Sequence, residues 1–128
     1  TAEVEAPLPS GPEDPPPAPG KDDLPALVEK AYSTALAFDS AGYPHVSYYD
    51  LTHQDLRYAR WDGTQWLVQI VDSDLDVGFY PNLALDAADR PHITYMQSDL
   101  GEVRYAHWDR AQWLIESVAS SRSMARRV

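Results

Sequence analysis

The chain has 128 residues, 44% of them apolar, and a formal net charge of −10. That length holds one small globular unit, and the acidic balance argues against nucleic acid, whose phosphates need a basic face, and against anionic membranes. With no Cys, a disulfide scaffold, a thiolate zinc site and a cysteine nucleophile are excluded.

No apolar run is long enough to span a bilayer as a helix. The chain begins at Thr1 rather than Met and shows no signal peptide, which is compatible with a leader already removed. An extracellular or cell-surface location is the expectation, with a cytoplasmic one as the alternative. Residues 1–26 carry eight of the eleven Pro and six acids against Lys21. Such a stretch has almost nothing to bury and cannot offset its ordering entropy, so a disordered or polyproline-like leader is expected, dispensable for folding.

Residues 33–121 contain an internal repeat. Leu36 aligned with Leu83 opens an ungapped run at a constant offset of 47, in which 17 of 42 pairs are identical. Among them are Asp39/Asp86, Pro44/Pro91, His45/His92, Tyr58/Tyr105, Trp61/Trp108 and Trp66/Trp113. Each copy reads as four strands. Ala35–Phe38 is a short apolar run stopped by the turn residues Asp39–Gly42. Pro44–Asp50 is rich in β-branched and aromatic residues. Leu56–Trp61 follows a polar loop, and Asp62-Gly63 is a hairpin turn pair that leads into Trp66–Val71. No window carries the apolar spacing of a helix. The predicted division is a leader over 1–26, one four-stranded unit over 27–74, a second over 75–121, and an irregular tail over 122–128.

The fold class expected is all-β. Four antiparallel strands in a repeat of this length make one blade of a β-propeller. The segments ALAFDSAGYPHVSYYD, LRYARW, QWLVQIVDS and DVGFY resemble a bacterial tandem propeller-blade repeat over about residues 31–121. The resemblance implies fold and tandem repetition, and no reaction, because propellers host enzymes and scaffolds alike. Two blades cannot close a ring, since propellers have about four to eight. Both outer faces would be left bare and apolar. The expectation is a cyclic homo-oligomer, a trimer giving six blades, with a two-blade fragment of a longer propeller as the alternative.

His45 and His92 recur, and a recurring residue points first to a repeated hydrogen bond to the turn bearing Asp39 or Asp86. The functional alternative is a metal. If Gln97 faces Glu102 across the loop 98–101, then His92 faces His107, close enough for two imidazoles to share a zinc-like ion. His45 of a neighbouring blade is the candidate third ligand, although its own cross-strand partner is Arg60. Asp62 or Asp109 would act as base or orienting group. A calcium alternative uses Asp74, Asp76 and Asn82, all oxygen donors near the link between the units. His53, in a loop, is expected to face solvent. Tyr58, Tyr105, Trp61 and Trp108 are candidate binding aromatics for a small molecule or carbohydrate, set against a plain role in the core.

Two functions follow as expectations. One is a self-assembling partial propeller that serves as an oligomeric binding or scaffold module. The other is a metal-dependent hydrolase of activated esters, lactones or phosphotriesters, with its site at the ring axis.

Overall fold

The computed structural model describes residues 31–99 and 101–120. The expected leader, the first residues of the first unit and the tail over 122–128 lie outside the described residues. The rest is all-β, in two antiparallel four-stranded sheets consistent with two propeller blades. The first blade holds β1 (Ala31–Phe38), β2 (Pro44–Asp50), β3 (Asp55–Trp61) and β4 (Trp66–Asp72). The second holds β5 (Val77–Leu85), β6 (Pro91–Gln97), β7 (Glu102–Trp108) and β8 (Trp113–Ser120). Both sheets run in simple chain order, as hairpin-joined neighbours do.

The turns repeat as the strands do. The Asp39 carboxylate accepts from the amides of Ala41 and Tyr43, both at 2.9 Å. Asp86 does the same with Ala88 and Arg90, at 2.9 and 3.0 Å. An Asp side chain thus fixes each turn by satisfying backbone donors that the sheet cannot reach. The next hairpin is closed by Asp62, which caps Thr64 and Gln65, and in the second blade by Asp109, which caps Ala111 and Gln112, all at 2.8 Å. Those amides hold both carboxylates below their ordinary range. Pro44 and Pro91 open their strands, where a missing donor costs little.

The core is the junction between blades. The first blade contributes Leu56, Tyr58 and Val71, and the second contributes Val77, Ile93, Tyr95 and Ala106. Leu83 and Trp113 pack against this cluster. A β-bulge at matching places in β4 and β8 leaves Val71 and Val118 as the unpaired residues. The bulge re-aims Val71 into the junction. Gly78 makes the closest approach, because a Cβ there would lie 2.9 Å from the Cα of Leu56.

The two blades meet with unlike faces. The first offers the face that carries Tyr58, and the second offers the face that carries Tyr95, whose equivalent in the first blade is Tyr48. Tyr48 and Ala59, with Val46 and Trp66, form a separate cluster on the far side of the first sheet.

Candidate functional site

The repeated histidines each bridge an Asp and a Tyr. His45 meets the Tyr58 hydroxyl through Nδ1 at 2.5 Å and Asp39 through Nε2 at 2.8 Å. His92 meets Tyr105 at 2.6 Å and Asp86 at 2.9 Å in the same way. The chemistry sets the tautomer. A carboxylate can only accept, so Nε2–H donates to Asp and Nδ1 accepts from the phenol. Burial pushes the Tyr58 phenol up, which keeps that donor protonated. The bond to the turn Asp that the recurrence suggested is therefore present in both blades, with a Tyr as its second anchor.

These bonds make stability depend on pH. Burial works against ionisation of Asp39, yet the His45 ring and the amides of Tyr43 and Ala41 outweigh it and hold its carboxyl below the ordinary range. Asp86 is lowered chiefly by the His92 bond. A carboxylate depressed in the folded state stabilises above its unfolded pKa of about 3.9, and that stabilisation is lost as pH falls through the folded value. The urea midpoint is expected to drop as pH is taken below about 4. Asp39→Asn should lower the midpoint at neutral pH and flatten this acid limb. An unchanged slope in the variant would show that Asp39 does not contribute.

The proposed metal residues are placed as follows. β6 and β7 pair with His92 opposite His107, and the two rings stack at 5.8 Å with planes 9° apart. Both ring nitrogens of His92 are already engaged, by Tyr105 and Asp86, so ligation there would break one of these bonds. His45 lies at the buried junction, is paired across the strand with Arg60, and has both nitrogens engaged as well. Asp74 takes the Arg104 guanidinium at 3.0 Å, and Asp76 takes the Tyr49 hydroxyl at 2.6 Å. Asn82 is exposed on β5 opposite Thr94, beyond a bulge. Among the described residues, no three His, Cys, Asp or Glu side chains converge as an ion-holding group. The His53 side chain is exposed, with its ring on Asp50.

Of the aromatic candidates, Tyr58 and Trp61 are buried, whereas Tyr105 and Trp108 are half-buried. Tyr58 and Trp108 meet at a cavity of about 320 Å³ between the blades. The first blade brings Asp39, His45, Tyr58, Arg60 and Gln69 to it. The second brings the turn 88–91, Trp108 and Arg110. Asp89 fixes this wall by reaching across the junction, where its carboxylate accepts from both the amide and the hydroxyl of Ser40. It does so from a left-handed backbone position, φ 62°, that the first blade fills with Gly42 at φ 87°.

No protein-family profile, curated protein or solved structure matches the chain. Sequence reasoning named Tyr58 and Trp108 but passed over Arg90, Arg110 and Asp89, and treated Arg60 only as a non-ligand. A signal for all four was available at the positions where the 47-residue repeat breaks.

Proposed function

We propose that the chain is a partial β-propeller that associates head to tail into a closed ring and acts as an oligomeric binding or scaffold module. The observation that carries this is a contrast between equivalent positions. Val71, at the junction, is 7% exposed, while its equivalent Val118 on the outer face of the second blade is 61% exposed. Leu83 packs into the junction, while its equivalent Leu36 on the far side of the first blade is 59% exposed. Phe38 adds to the exposed apolar surface on the far side of the first blade.

Each bare face matches a face that is already covered inside the chain. The far side of the first blade carries the residue types with which the second blade packs on the first. The outer side of the second blade carries Val103, Tyr105 and Val118, the equivalents of Leu56, Tyr58 and Val71. A second copy would bring most of these residue types together as the internal junction does, with Ala31 and Lys30 standing at the places of Gly78 and Val77. Such heterologous contacts close into a ring when the rotation allows. Three chains would supply six blades, within the range of propellers.

Native mass spectrometry at micromolar concentration is expected to give a closed multiple of 14.3 kDa, three chains being the favoured count. Val118→Asp should yield folded single chains, because a charge buried at the joint is costly. A stable, folded wild-type monomer would overturn the assembly. The hydrolytic alternative draws support from the His92–His107 register alone, and the engaged nitrogens of His92 weigh against it.

A further inference from the structure

Five arginines lie among the described residues. Arg57 and Arg104 sit in carboxylate clusters: Arg57 binds Asp55 and Asp50, and Arg104 binds Glu102, Asp72 and Asp74. The other three, Arg60, Arg90 and Arg110, all line the inter-blade cavity. Each is a departure from the repeat. Arg60 stands where the second blade has His107, Arg90 where the first has Tyr43, and Arg110 where the first has Gly63. The residues that fix the turns and the His–Tyr bridges recur at 47, and these do not. Blade architecture leaves them unexplained, and they converge on one place in a chain that is otherwise strongly acidic.

Their charge is only partly spent within the fold. Arg90 rests its Nε on Asp86 at 3.2 Å. Arg60 and Arg110 make no ion pair among the described residues. The two carboxylates in the wall have donors of their own: Asp39 has His45 and its turn amides, and Asp89 has Ser40. Trp108 and Pro91 give the same cavity a flat apolar side.

We propose that this cavity binds a small organic oxyanion, a carboxylate or phosphate carried on a flat ring. Guanidinium groups present paired N–H donors that match the oxygens of either anion. Trp108 offers a face on which the ring can stack. The volume lies at the lower end of the range for small-molecule sites, about 300–1,000 Å³. The site lies within one chain and does not depend on the ring. A junction between chains would carry His107, Tyr43, Gly63 and Glu116 in place of Arg60, Arg90, Arg110 and Gln69. It would lack the cations, so the stoichiometry is one anion per chain rather than one per blade.

Calorimetric titration of the full chain at low ionic strength tests this with four probes: phenyl phosphate, benzoate, benzyl alcohol and inorganic phosphate. Phenyl phosphate or benzoate is expected to bind at one per chain, and the tighter of the two identifies the anion. Benzyl alcohol, without the charge, and inorganic phosphate, without the ring, should each bind at least tenfold more weakly. The double variant Arg60→His, Arg110→Gly takes its residues from the other repeat, whose blade already folds with them. It should lose at least tenfold in affinity with an unchanged circular dichroism spectrum. Failure of both aryl anions to bind at millimolar concentration would overturn the proposal. So would two sites per chain, inorganic phosphate binding as well as phenyl phosphate, or a double variant that binds like wild type. A monomeric chain that binds one anion would sink the ring and leave the pocket standing.

Discussion

Replacing Gly78 by alanine is expected to destabilise the chain by about 3 kcal/mol or more, combining backbone strain with a collision. Gly78 has φ 115°, a region that residues with a Cβ rarely enter. The added carbon would also lie 2.9 Å from the Leu56 Cα and 3.0 Å from its Cβ. Those atoms belong to β3 and cannot swing aside, so relief would require moving one blade off the other. Gly63→Ala is the informative contrast. Its backbone is also left-handed, φ 99°, but the nearest atom is the Tyr43 hydroxyl at 3.0 Å, the end of a side chain that can rotate away. Arg110 occupies the equivalent position at φ 84°, which shows that the turn accepts a side chain. About 1 kcal/mol is expected there. Urea unfolding of both variants measures the difference. Equal losses would mean that the tight approach of Gly78 to Leu56 carries no stability.

Arg104→Met should be the other severe change. The Arg104 guanidinium crosses the junction to Asp72, whose side chain is only 5% exposed, at 3.0 Å, and also holds Glu102 at 2.6 Å. The Tyr95 hydroxyl donates to the same Asp72 at 2.7 Å. Burial and that neighbouring carboxylate push the Tyr95 phenol up, which keeps it a donor. Removing the arginine leaves Asp72 buried with the phenol but without a countercharge, at a cost of about 3 kcal/mol. The paired variant Arg104→Met, Asp72→Asn removes the orphaned charge and should recover a large part of the loss, a coupling that a double-mutant cycle reads directly. Strict additivity of the two single changes would show that the ion pair does not act as a unit.

Much of the architecture was legible because the sequence states it twice. The 47-residue offset and the β-branched and aromatic content of Pro44–Asp50 and Leu56–Trp61 place the second, third and fourth strands of each blade within a residue or so of those observed, whereas β1 and β5 begin four or five residues earlier than the short apolar run at Ala35–Phe38 predicts. Counting across the loop 98–101 was enough to set His92 opposite His107. The Asp39–His45 bond was readable because its repetition at Asp86–His92 marks it as part of the blade. What remained hidden depends on which sheet faces which. Strand alternation says that Tyr58 and Arg60 share a face, but not that this face meets Trp108 and Arg110. Asp89 gives no local sign that its partner is Ser40, 49 residues away in the preceding blade. The second partner of His92 was missed for a related reason: Tyr105 looked like core, and its hydroxyl was not weighed.

The clasp of Asp89 on Ser40 makes the joint inside the chain unlike any joint between chains. Position 42, the equivalent of Asp89, is a glycine with nothing to extend across a seam. Position 119, the equivalent of Asp72, is an alanine that offers Arg57 no anion. In a ring of such chains, covalently linked seams that add an ion pair and a clasp to their apolar packing would alternate with unlinked seams that lack both. The unlinked seams would yield first, so such a ring would come apart into intact two-blade pieces before any blade opened, and dilution would separate assembly from folding.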